Sequence, residues 1–252
     1  MRYGTMLRCV ASAAVLMTGC SQPSEGIKPV AAPSTSAADM PMTAGTSTPQ
    51  SVPTTTKAPA PPPLVVTPDK IDSILSSRAE VGKILGTTFE YDNNQSTPAT
   101  DVINGPPECT NLDYPRARQL GSEWTTYRWN YYRESKDNTA YIVGQVAVLY
   151  ATREEAAAAF AQAYPVSALK TCPDAQISTG DDKWKISGIT EITDTAAKWA
   201  QLQVKEGGSP WHCFFDFRTK NNVLFGGYLC QYGDGVPGLT TITDRIAAWI
   251  PE

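Results

Sequence analysis

The stretch "WHCFFDFRTKNNVLFGGYLC", from Trp211 to Cys230, holds the only histidine of the chain, His212, directly beside a cysteine, and a second cysteine closes it. Two chemistries use such residues. A histidine can act as base toward a nucleophilic cysteine or serine, and histidine with cysteine can ligate zinc. Zinc wants close pairs such as C-x-x-C or several histidines, whereas the four cysteines beyond the first 63 residues, Cys109, Cys172, Cys213 and Cys230, are spaced 63, 41 and 17 apart. An even number of cysteines in an exported domain points instead to two disulfides. Oxidised cysteines offer no thiolate.

A hydrolase built on His212 is therefore the weakest of the functional readings. The sequence contains no G-x-S-x-G elbow, no H-E-x-x-H, no P-loop and no G-x-G-x-x-G fingerprint. The expectation is a non-enzymatic protein without metal or cofactor, in which His212 sits at the rim of a strand. Asp181-Asp182 pairs two carboxylates able to touch a cation, but a solvated turn explains them better. Tyr127, Trp129 and Tyr131 alternate along one strand and so share a face, with Trp124 and Tyr132 on the other. Aromatic rows line ligand sites, which makes Tyr127, Trp129 and Tyr131 the candidate binding residues; core packing accounts for them equally well.

The elements that must position these groups follow from local pattern. "CFFDFRT" and "VLFGGYLC" are aromatic-rich and strand-like, with Lys220-Asn221-Asn222 between them. A two-residue type I′ turn needs positive φ at both centres, which asparagine tolerates. With Asn221-Asn222 as the loop, paired residues have numbers summing to 443, and Cys213 and Cys230 sum to 443. They face each other across the strands within disulfide reach, which leaves Cys109 for Cys172. The same register sets Phe215, Phe217, Leu224 and Tyr228 on the cysteine face, and Phe214, Val223, Phe225 and Leu229 on the other.

Strands are also expected over 123–133, 139–151, 183–192 and 196–206, and a long loop over 91–108. Thr67, Pro68 and Asp69 open a short helix, and "AEVGKILG" forms a second one capped by Gly86. Thr152 and Glu155 make a T-x-x-E capping box for a helix over 152–164, which gives Glu154 and Glu155 a structural role. In the tail, Leu239, Ile242, Ile246, Trp249 and Ile250 form one helical stripe that packs on the sheet. The fold class is α+β: an antiparallel sheet of about six strands with helices at both ends and one in the middle.

The ends of the chain set the compartment. Arg2 and Arg8, the apolar run Val10–Met17 and the small residues after it have the layout of a signal peptide over residues 1–19. Met17-Thr18-Gly19-Cys20 resembles a bacterial lipobox, which makes Cys20 the lipidated residue and tethers the protein to the outer face of the cell membrane. In residues 21–63, 30 of 43 are Pro, Ser, Thr or Ala and none is aromatic. Such a segment cannot bury enough apolar surface to order itself, so 20–63 is a linker. Residues 64–252 hold all six tryptophans and suit one domain with a proper core. There, 17 Lys and Arg against 23 Asp and Glu give a net charge of −6 without a basic stripe, which sets nucleic acid aside as a partner.

Taken in order, the lipobox, the Pro/Thr linker, "PPEC", the "V-x-V-L-Y-x-T-x-E-E-A" step, "W-x-C…NNV…C" and the terminal amphipathic helix resemble the PknH-like extracellular sensor domain family. That family occurs after the membrane segment of a mycobacterial Ser/Thr kinase and in stand-alone lipoproteins. The resemblance implies an antiparallel sheet flanked by helices, two sequential disulfides and a cleft for an unidentified ligand. The functional expectation is a ligand-binding or sensor-like domain whose partner is a small molecule, lipid or glycan. The alternative is a cell-envelope module that binds an exported protein.

Overall fold

The computed structural model describes residues 65–136, 140–205 and 211–252. The signal peptide, Cys20 and the linker up to residue 63 lie outside the described residues. No helix among the described residues is long and apolar enough to cross a membrane.

The domain is α+β, built on one antiparallel sheet of eight strands rather than about six. They are β1 (Tyr91–Gln95), β2 (Thr126–Arg133), β3 (Tyr141–Leu149), β4 (Gln176–Thr179), β5 (Asp182–Ile192), β6 (Ala196–Gln203), β7 (His212–Lys220) and β8 (Val223–Gln231). Their order across the sheet is β1-β2-β3-β8-β7-β6-β5-β4. The two strands that the sequence pattern does not reveal are the two edges. β1 reads "YDNNQ", polar and almost wholly exposed, where a loop is expected, and β4 is only four residues long. An edge strand has one unpaired side and little apolar surface to bury, so it carries little hydrophobic alternation.

Helices cover both faces. α1 (Ile71–Ile74), α2 (Arg78–Leu85) and α6 (Val236–Trp249) join one apolar cluster with Val143, Ala147, Phe225 and Leu229 of the sheet. α4 (Arg153–Ala163) joins the other, with Tyr127, Trp129, Val146, Trp199 and Phe217. The short helices α3 (Ala117–Leu120) and α5 (Val166–Leu169) sit in the connections. Two of the expected caps form, since Thr152 and Glu155 close their capping box and Gly86 ends α2 at φ 69°, whereas Thr67 precedes a 3-10 turn (Pro68–Lys70) without capping it through its side chain. A second box, Ser77 with Glu80, opens α2. The α6 stripe is correct at Leu239, Ile242, Ile246 and Ile250, but Trp249 is 60% exposed because it lies at the margin of the stripe.

The face under α6 holds two buried polar side chains, each fully engaged. Gln145 accepts from the Ser76 N–H and donates to the Ser76 carbonyl, both at 2.9 Å. Asp216 takes a two-pronged contact from Arg218 and a hydroxyl from Thr243 at 2.9 Å. Such groups destabilise a core unless satisfied, and here they fix the helices to the sheet.

Both disulfides form in the expected pairing, Cys109–Cys172 and Cys213–Cys230. The β7–β8 register has Cys213 opposite Cys230 and Lys220 opposite Val223. The turn type differs from expectation. Only Asn221 has positive φ, 52°, whereas a type I′ turn needs it at both centres. Asn222 is held instead by tertiary bonds: its side chain accepts from the Val66 N–H and donates to the carbonyls of Val66 and Tyr150.

Candidate functional site

Register places the aromatic and disulfide side chains of one sheet face in rows. Trp184, Gln203 and Trp211 form a row across β5, β6 and the start of β7. Gln201, Cys213, Cys230 and Ile142 form the next. Phe215, Tyr228 and Tyr131 form a third, with Gly144 between the two tyrosines. These rows are the floor of a concavity of about 300 Å³. Its wall is the segment that carries Asp113, Tyr114 and Arg116, and Ile177 and Thr179 of β4 complete one side.

The wall is anchored at several points. Cys109–Cys172 ties its start to the chain just before β4. The Gln201 amide donates to the Leu112 carbonyl, which joins wall to floor. Asn104 pairs with Ser178 of β4 through two backbone bonds, at 2.9 and 2.8 Å. Arg116 is 4% exposed and donates to Asp113 at 2.7 Å while pairing with Asp101. Its guanidinium also lies 4.3 Å over the Tyr114 ring, which stacks on Trp129 at 5.0 Å.

Gly144 makes room for the floor. A Cβ there would come within 2.3 Å of the Tyr228 ring, so the absence of a side chain lets Tyr228 lie across β3. Tyr228 is 8% exposed. Burial pushes its phenol well above the ordinary value, and pushes Tyr114 up to about 12. Burial also raises the Asp113 carboxyl, against the opposing pull of Arg116. The two phenols therefore keep their protons across the neutral range.

The candidate aromatics divide along β2. All three share a face: Tyr131 reaches the concavity, Trp129 supports Tyr114 from beneath, and Tyr127 is 1% exposed within the core. Trp124 precedes the strand and meets Tyr127 edge-on, so it packs on that same cluster and not on the opposite face. Tyr132 does lie opposite, against Phe89. His212 alternates away from the cysteine face and stacks on Phe214, and its buried Nδ1 meets no hydrogen-bond partner among the described residues. It therefore lies on the opposite face of the strand from the concavity and is not among the residues that line it. Asp181 sits in the β4–β5 turn; Asp182 begins β5, accepts from Gln203 Nε2 at 3.2 Å and lines the concavity. The groups of three or more ligating side chains that a metal ion requires do not occur among the described residues.

Sequence pattern does not single out Asp113, Tyr114, Arg116, Trp184, Gln201, Gln203, Trp211 or Tyr228 as site residues. Of these only Tyr228 had a usable signal, since the hairpin arithmetic put it on the cysteine face.

No curated protein sequence matches the chain. Among solved structures, it is similar to the crystal structure of the extracellular domain of PknH from Mycobacterium tuberculosis. The TM-score is 0.64 at 17% identity, and the match covers 73% of this chain and 96% of that one. This likeness shows a shared fold. The family described as PknH-like extracellular domain matches residues 66–249, from Val66, just before the first helical turn, to the end of α6. The chain belongs to the PknH-like extracellular domain family.

Proposed function

We propose that the protein is a non-enzymatic ligand-binding module of the sensor type, held by a lipid on Cys20 at the outer face of the cell membrane. The observation that carries this reading is the concavity on the disulfide face of the sheet. It is near the lower end of the size range of small-molecule sites, and is lined by aromatic rings with a few convergent polar groups. Its carboxylates are engaged, Asp113 with Arg116 and Asp182 with Gln203, and its two cysteines are joined as a disulfide. An arrangement of that kind orients a ligand and supplies no free base or nucleophile. The family places the domain outside the cytoplasm, in keeping with two disulfides.

The test uses the full-length chain extracted from membranes in mild detergent. Native mass spectrometry is expected to find a co-purifying mass on the wild type that is lost from a Trp184→Ala, Trp211→Ala double variant. Equal bare masses for both, with no thermal shift from any small molecule screened, would remove the binding function. Cys20→Ala is expected to abolish labelling by an alkyne fatty acid and to release the protein from the membrane fraction; retained labelling would refute the anchor.

A further inference from the structure

The concavity presents two polar atoms that the fold does not use. The Tyr228 hydroxyl makes no hydrogen bond to another described residue, although Tyr228 is 8% exposed and lines the cavity. Gln201 is 3% exposed and spends its Nε2 on the Leu112 carbonyl, which leaves Oε1 without a donor from the described residues. Neither is sealed in the core as an unpaired atom, so both open onto the concavity and can meet a ligand. One is a donor and acceptor, the other an acceptor, and both are neutral.

Charge in the cavity is already matched. Arg116 stands between Asp113 and Asp101, so its charge is already offset, although its buried Nε meets no hydrogen-bond partner among the described residues. Asp182 is exposed and takes a hydrogen bond from Gln203, so no buried, unpaired carboxylate awaits a cation. What remains is a rim of two half-buried indoles, Trp184 and Trp211, which flank the Gln203 amide. The negative face of an indole attracts the partly positive C–H bonds on one side of a sugar ring. The hydroxyls at the edge of such a ring need neutral donors and acceptors in the plane around it.

We infer that the ligand is a neutral sugar residue of a glycan, its C–H face stacked on the Trp184–Trp211 rim and its hydroxyls on Tyr228 and Gln201. A cavity of about 300 Å³ has room for one or two such rings, with the rest of the glycan leaving past Asp182. The inference rests on the binding reading given above and specifies its ligand class.

The experiment titrates the full-length protein in detergent with neutral pentose- and hexose-built oligosaccharides. A uronic-acid oligosaccharide and phosphocholine run in parallel, with tryptophan fluorescence and ligand-observed saturation-transfer NMR as readouts. Neutral oligosaccharides are expected to give a saturating response, with saturation strongest on the ring C–H protons. Trp184→Ala should weaken it at least about tenfold, and Tyr228→Phe, which removes only the hydroxyl, by roughly three- to tenfold at an unchanged unfolding midpoint. A neutral-sugar response that Tyr228→Phe and Trp184→Ala leave unaltered overturns the placement. Binding of phosphocholine or the uronic-acid probe, lost in Trp184→Ala, overturns the sugar class while the binding function stands. Silence from every probe, together with no co-purifying mass, overturns both.

Discussion

Replacing Asn222 by alanine tests how the domain is closed. The side chain is 2% exposed and makes three bonds, from the Val66 N–H at 3.0 Å and to the carbonyls of Val66 at 2.9 Å and Tyr150 at 3.0 Å. Alanine removes all three and strands the Val66 N–H. An ordinary bond contributes a net ~0.5–1.5 kcal/mol, and a stranded buried group costs about 1–3 kcal/mol. Val66 lies close to where the chain enters the domain and can move toward water, which reduces the cost. The expected loss is about 2–4 kcal/mol. For a domain of this size each kcal/mol moves the midpoint by roughly 2–4 °C, so the variant should melt about 4–16 °C lower. The turn is not the cause of this loss, since positive φ falls on Asn221 and not on Asn222. Circular dichroism gives the midpoint, and amide exchange at Val66 reports the local release. A midpoint within about 2 °C of wild type, with Val66 still protected, would refute the reasoning.

Three further outcomes follow from the site and its supports. Gly144→Ala drives a methyl to within 2.3 Å of Tyr228 Cε1, so near-ultraviolet dichroism should change and stability fall by roughly 1–3 kcal/mol; an unchanged aromatic spectrum would contradict the placement of the ring. Removing Cys109–Cys172, whose residues are 63 apart, should cost about 4 kcal/mol, against about 3 for Cys213–Cys230, 17 apart, by loop-closure entropy. Chemical denaturation of the two double-serine variants gives that order, and the reverse order would count against it. The Glu80 carboxyl is held below its ordinary value by hydrogen bonds from Ser77 and by Arg245. A depressed carboxyl adds stability above the unfolded value, here 4.5, and loses it as pH falls through the lower folded value. Glu80→Gln should therefore be less stable than wild type at pH 7 and equal to it at strongly acid pH; a gap that persists unchanged in acid excludes the ionic contribution.

How much of this was legible in the sequence depended on whether the signal was local. The β7–β8 hairpin was readable because a two-residue loop fixes every pairing, and Cys213 opposite Cys230 follows from that loop alone. The capping box at Thr152 was readable for the same reason. The edges were not: β1 and β4 have too little buried apolar surface to show a period. The concavity was legible only in fragments. Tyr131 was found because it alternates with Trp129, but its neighbours arrive through register across several strands. Asp113, Tyr114 and Arg116 arrive through a segment with no regular structure, and what places them is a disulfide and an amide bond from Gln201. Local periodicity carries no information about such pairings. Trp249 shows the opposite error, in which a correct helical stripe was drawn one residue too wide.

The strand order has a consequence for how the chain reaches this state. β1 to β3 are sequential neighbours, and so are β4 to β8, so each group can zip up through nearby contacts. Only the β3–β8 pairing joins them, bringing Leu149 to Val223 and Tyr141 to Gln231. Contacts between residues so far apart in the chain form slowly, because loop entropy must be overcome before they contribute. The topology thus divides the sheet into two half-sheets that meet at one seam, and each would leave a β-edge unpaired until that seam closes. Asn222 reaches across that seam to Tyr150. Until that seam closes, the β3 and β8 edges are open to pairing with other chains.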